Sequence, residues 1–84
     1  MYDILLAGQA ERDLKRLSPQ LFRRIIEGIK SLARDPRPPG CRKLAGSESD
    51  YRVRVGDYRI LYEIQDGAKK VRIYRVRHRR EVYR

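Results

Sequence analysis

The chain has 84 residues, enough for one small domain spanning 1–84, and a chain this short buries only about 60–65% of its unfolded surface, so its core must be economical. Its 21 Lys and Arg against 11 Asp and Glu give +10, and residues 51–84, with eleven basic and four acidic side chains, carry most of that excess. One cysteine and one histidine exclude an intramolecular disulfide and a Cys/His zinc set, and no apolar run approaches the ~18 residues of a membrane span.

The N-terminus MYDILLAGQ lacks the basic flank and cleavage pattern of a signal peptide, so a cytoplasmic protein without metal or cofactor is expected. Tyr2 to Leu6 is a short apolar run rich in β-formers, closed by Ala7-Gly8. From Gln9 onward Ala10, Leu14 and Leu17 recur at i, i+4 and i+7, which predicts an amphipathic helix of about ten residues. Ser18-Pro19 then starts a second helix, because the serine oxygen accepts an orphan N–H and proline at the first helical position forfeits nothing. Leu21, Phe22, Ile25, Ile26, Ile29, Leu32 and Ala33 form its apolar stripe, and Asp35-Pro36 ends it. Gly28 inside that stripe points to close approach of another element or to nothing at all.

Residues 36–50, rich in Pro, Gly and Ser, read as a long connection with Leu44 as its packing anchor. In the next stretch, DYRVRVGDYRILYEI, period-two alternation on both sides of Gly56-Asp57 predicts a β-hairpin. A two-residue loop sets Val55 opposite Tyr58, Arg54 opposite Arg59, Val53 opposite Ile60 and Arg52 opposite Leu61. One face is then apolar, and the other carries three arginines whose cross-strand repulsion costs stability unless an anion is held there. Asp66-Gly67 gives a second turn before a strand over 71–76. Counting back across that turn places Ile73 with Ile60 on the apolar face and Tyr74 with Arg59 on the other; parity would add His78 to the arginine face if the strand reaches it.

The predicted order is β-α-α-β-β-β, an α+β domain. A three- or four-stranded, mostly antiparallel sheet is covered on one face by a helical hairpin, and its opposite face is exposed and basic. Tyr51, Tyr58 and Tyr62 read as core or edge packing.

The elements KLAGSESDYRVRVGDYRILYEI and VRIYRVRHRREVYR resemble the RelE branch of the RelE/ParE toxin superfamily over essentially the whole chain. The resemblance implies a RelE-like fold and a toxin of a type II toxin–antitoxin system. RelE-type toxins cleave mRNA in the ribosomal A site without a metal and are neutralised by a cognate acidic, RelB-like antitoxin that wraps around them. ParE relatives share the fold but inhibit DNA gyrase, which is the alternative expectation.

Carried over by position, the family's basic pair on the first hairpin strand matches Arg52 and Arg54, its next-strand arginine matches Arg59, its late arginine matches Arg79, and its C-terminal tyrosine matches Tyr83. The best-studied pattern has lysines at the strand pair. Arginine keeps its charge and cannot act as a general base, so a mechanism that relies on a neutral lysine does not transfer.

RNA cleavage of this kind requires the 2′-hydroxyl deprotonated, the phosphorane charge stabilised and the 5′-oxygen protonated. Guanidinium groups suit the middle task because they meet phosphate oxygens bidentately and stay charged. Arg54, Arg59, Arg79 and Tyr83 are therefore the expected catalytic set. Tyr83 either stacks on a base or moves a proton, since neighbouring cations favour its phenolate. Arg52, Tyr74, Arg77, His78 and Arg80 are expected to contact RNA, with His78 also open to acid–base work as the one imidazole. Glu81 reads as a partner for Arg79 or Arg80.

Overall fold

The computed structural model describes residues 1–82. Its elements run β1 (Asp3–Leu6), α1 (Gly8–Lys15), α2 (Pro19–Arg34), β2 (Arg42–Lys43), β3 (Asp50–Val55), β4 (Tyr58–Gln65), β5 (Lys70–His78) and α3 (Arg79–Val82). This is an α+β fold. The sheet has five strands in the order β1-β5-β4-β3-β2, antiparallel except where β1 runs parallel to β5. The strand beyond the expected three or four is β2, two residues inside the connection between helices and sheet, which alternation cannot reveal at that length. Leu44, at its end, is half-buried, and its loop is tied by backbone bonds from Leu44 N–H to the Asp50 carbonyl and from Ser47 N–H to the Leu44 carbonyl.

Both helices pack on one face of the sheet, as their stripes require. Ala10 and Leu14 of α1 join Ile25, Ile29 and Leu32 of α2 against Ile60, Tyr62, Ile64, Val71, Ile73 and Val76, all buried. The start of α2 is the capped one anticipated: Ser18 Oγ accepts the Leu21 N–H at 3.3 Å, with Pro19 as first helical residue. Gly28 lies where α2 crosses the hairpin. A Cβ there would stand 3.0 Å from Val55 Cγ2 and 3.4 Å from Ile60 Cδ1, so close approach is the reading the fold supports.

The hairpin register is the one the alternation predicts, from Val55 opposite Tyr58 to Arg52 opposite Leu61. The β4–β5 register is not. Four residues, Asp66 to Lys69, separate Gln65 from its partner Lys70, and Lys69 takes a φ of 53° while its N–H bonds the Asp66 carbonyl. A bulge follows, since the pairing steps from Tyr62–Ile73 to Leu61–Arg75 and Tyr74 falls between. Ile73 therefore faces Tyr62, Val76 faces Ile60, and Arg59 faces Arg77 rather than Tyr74.

A polar clamp closes the far end of the sheet. Arg37 binds Asp66 with both terminal nitrogens (3.2 and 2.8 Å), donates to Tyr51 Oη and lies over that ring, while Tyr2 Oη donates to Asp66 at 2.6 Å. The buried Tyr62 hydroxyl donates to the Pro36 carbonyl, and burial, followed by the neighbouring Cys41, pushes its pKa upward. Among the described residues no helix is long and apolar enough to cross a membrane.

Candidate nucleic-acid interface

Alternation in β3 and β4 sends Val53, Val55, Tyr58 and Ile60 toward the helices, so Arg52, Arg54 and Arg59 must point the other way. Register then aligns them. Arg54 stands opposite Arg59, and Arg59 opposite Arg77, which makes a row of three guanidinium side chains across β3, β4 and β5. Arg79 and Arg80 reach the same region from α3. A hollow of about 400 Å³ is lined by Arg54, Arg59, Arg79 and Arg80.

Backbone bonds around the hairpin turn place these groups. Gly56 supplies the turn with a φ of 59°, its carbonyl accepts Arg54 Nε at 3.2 Å, and the Arg24 guanidinium of α2 covers its outer side. The Asp57 carbonyl accepts the Arg79 N–H at 2.7 Å and so pins the start of α3 to the turn. Arg77 Nε lies 3.4 Å from Glu81 Oε2, a contact spaced i,i+4 and largely exposed. Glu81 is thus bonded to Arg77, not to the Arg79 or Arg80 that its sequence position suggests.

One expected member of the arginine face is displaced along it, and another leaves it. The bulge puts Tyr74 two residues along from the arginine row, near Asp50, Glu63 and Arg72. Burial first, then the two carboxylates, raises its pKa and holds it as the neutral phenol. Past the bulge parity is reversed, so His78 turns to the helix-bearing face. Its ring meets Tyr58 edge-on at 5.3 Å, close to Leu17 and Leu21, and its Nδ1 accepts the Arg80 N–H at 3.2 Å. Tyr83 lies outside the described residues.

A second hollow of about 230 Å³ adjoins the first, lined by Gly40, Arg42, Arg52, Val53, Arg54 and Arg59. Arg42 was not anticipated from the sequence. It occupies β2 directly opposite Arg52, and the only signal for it was a basic residue preceding the Lys43-Leu44 element. Asp13 is a further surprise, a carboxylate buried in α1 that binds Arg75 Nε at 3.0 Å and the Val76 N–H at 2.9 Å.

Among the described residues, six arginines and no acidic side chain line the two hollows, a set whose guanidinium groups are suited to meeting phosphate oxygens and offsetting charge that develops on them.

Comparison with known proteins agrees along the whole chain. A family model described as the ParE toxin of the type II toxin–antitoxin system parDE matches residues 4–83. Toxin RelG of Mycobacterium tuberculosis is 38% identical over 99% of this chain and 97% of its own. The solved RelBE2 toxin–antitoxin complex of the same organism superposes with a TM-score of 0.82 at 32% identity, covering 92% of this chain and 96% of that one. The archaeal RelE–RelB complex of Pyrococcus horikoshii gives 0.83 at 29% identity, covering 93% and 94%.

Proposed function

The chain belongs to the RelE/ParE toxin family of type II toxin–antitoxin systems, and from that premise we propose that it is a ribosome-dependent mRNA endoribonuclease of the RelE type. The observation that carries the reading is the row Arg54–Arg59–Arg77 on the face opposite the helices, in which Arg54 and Arg59 share one hollow with Arg79 and Arg80. Like charges aligned across a ladder cost stability, and a phosphate between them reverses the sign of that cost.

In this mechanism the 2′-oxygen attacks the adjacent phosphorus, the P–O5′ bond breaks, and the products are a 2′,3′-cyclic phosphate and a 5′-hydroxyl. Arg54, Arg59 and Arg79 hold the non-bridging oxygens and offset the negative charge that grows in the phosphorane, each worth about 10²–10³ in rate by analogy with single oxyanion donors. The Gly56 carbonyl holds Arg54 Nε and the Asp57 carbonyl holds the Arg79 main-chain N–H at the start of α3, which limits the reorganisation needed there when charge develops. Arg52, Arg77 and Arg80 hold the flanking backbone. None of these can remove the 2′-proton, and the proposal gives both transfers to Tyr83, which as the phenolate takes the 2′-proton and as the phenol returns it to the departing 5′-oxygen. The setting is the cytoplasmic ribosome, where the A site presents the mRNA. The partner is an acidic, RelB-like antitoxin, supported by the relatives solved in complex with RelB proteins and by this chain's +10 charge.

The test is purified protein added to translating ribosomes. Cleavage at the A-site codon leaving a cyclic phosphate is expected, and variants Arg59→Ala and Arg79→Ala that both cut like wild type would remove the site assignment. The matching family model is that of ParE toxins, which keeps gyrase inhibition as a second reading; DNA damage on induction with mRNA left intact would select it.

A further inference from the structure

We propose that the sheet carries a second anion subsite, built by Arg42 and Arg52, that grips the phosphodiester next to the one held by Arg54 and Arg59. The inference rests on the RNA-cleaving reading and adds to it a residue outside the expected set and a direction for the bound strand.

Directly opposed residues of a ladder project to the same face. Arg42 is opposed to Arg52, which shares its face with Arg54 two residues on. The exposed face therefore holds two arginine rows: Arg54, Arg59 and Arg77 across three strands, and Arg42 with Arg52 across two. Two residues of β3 separate them, about 6.6 Å, which is of the order of the step between neighbouring phosphates on one nucleic-acid strand. The two hollows share Arg54 and Arg59, so they adjoin at those two side chains. RNA lying along β3 places successive phosphates on successive rows.

Local structure explains how the second row is assembled. Gly40, with a φ of 89°, turns the chain into β2, and apart from its chain neighbours nothing lies within 4 Å of where its Cβ would be, so the hollow it lines with Arg42 is uncrowded at that point. The pairing of Arg42 with Arg52 repeats the like-charge alignment of Arg54 with Arg59. A second repulsive pair beside the first is what a polyanion longer than one phosphate would offset, and a single-phosphate site would not.

Arg42 is a binding residue distant from the scissile bond, so its loss should fall on affinity more than on the chemical step. In single-turnover cleavage of ribosome-bound mRNA, Arg42→Gln should raise the half-saturating toxin concentration about tenfold, far more than it lowers the plateau rate. Arg59→Ala should do the reverse, and Arg42→Lys should recover most of the lost affinity. An unchanged half-saturation point for Arg42→Gln, or a fall confined to the plateau, overturns the subsite.

A readout independent of cleavage is binding of a 2′-O-methyl oligoribonucleotide, which has no 2′-hydroxyl to react. Arg42→Gln should reduce the slope of log affinity against log salt by about 0.7, one phosphate contact on a single strand. An equal slope in variant and wild type, or no binding by wild type, overturns the proposal. Failure of the nuclease reading would appear separately, as oligonucleotide binding with the expected slope difference but no cutting by wild type. Thermal melting of Arg42→Gln at or above wild type confirms that the variant is folded.

Discussion

The carboxylate of Asp13 accepts the Val76 N–H at 2.9 Å across 63 residues of sequence, supplying β5 with an acceptor where β1, whose pairing ends at Leu6–Ile73, no longer provides one. The same carboxylate binds Arg75, and Gln9 Nε2 donates to it from one turn earlier in α1. It anchors α1 to the strand that carries the arginines onward into α3. Asp13→Ala leaves a buried N–H and a partly buried guanidinium without this partner and should cost about 3 kcal/mol in urea denaturation. Asp13→Asn, which keeps an acceptor for Val76 but not the charge for Arg75, should lose less.

Arg54 opposite Arg59 should make the free protein less stable than it need be. Arg54→Thr, which puts a β-former in the strand and removes one charge from the row, should raise stability by about 0.5 kcal/mol at low salt and lower cleavage by 10² or more. Because the gain is relief of repulsion, it should shrink as salt is added. A variant destabilised equally at all salt concentrations would show that the row is not repulsive.

Gly28 is confined by Val55 and Ile60. Alanine there gains about 1 kcal/mol of helix propensity but overpacks a contact at a typical cost of 1–3 kcal/mol, so Gly28→Ala should be neutral to about 2 kcal/mol destabilising. The diagnostic is a cycle with Val55→Ala, which opens the space. The double variant should be more stable than the two single losses predict by at least ~0.5 kcal/mol.

Asp66 sets an acid limit. Its hydrogen bonds from Arg37, then from Tyr2, hold its pKa down to about 2, against about 3.9 for an unperturbed aspartate. The unfolded chain therefore takes up this proton first as pH falls. The contribution of the clamp is complete above about pH 4 and disappears as pH drops toward 2. Melting temperature against pH should decline across that window, and Asp66→Asn should flatten part of the decline while lowering stability at neutral pH.

His78 positions rather than transfers protons, if its place against Tyr58 on the helix-bearing face and its bond to the Arg80 N–H describe its role. His78→Ala should slow cleavage by about tenfold or less, and His78→Asn, which can still accept the N–H, should lose less again. A fall of 10²–10⁴ for both, the range of a general acid or base, would place the imidazole at the reacting atoms.

Both helices, the capped start of α2, the hairpin register and the common face of Arg52, Arg54 and Arg59 were legible in the sequence. Each depends on a periodicity long enough to be seen within a single element, and the resemblance of the hairpin and C-terminal motifs pointed to the family. The outward row could be read because Gly56-Asp57 is a short turn that fixes the pairing on both sides.

The places of Tyr74, His78 and Arg42 were decided by the tertiary structure. Face assignment by alternation holds only while pairing is uninterrupted, and a four-residue turn followed by one bulge shifts every later residue of β5. Tyr74 thus leaves the Arg59 position to Arg77, and His78 changes face. Arg42 belongs to a two-residue strand with no period of its own. Its alignment with Arg52 comes from the neighbouring strand, a relation between segments that neither segment encodes alone.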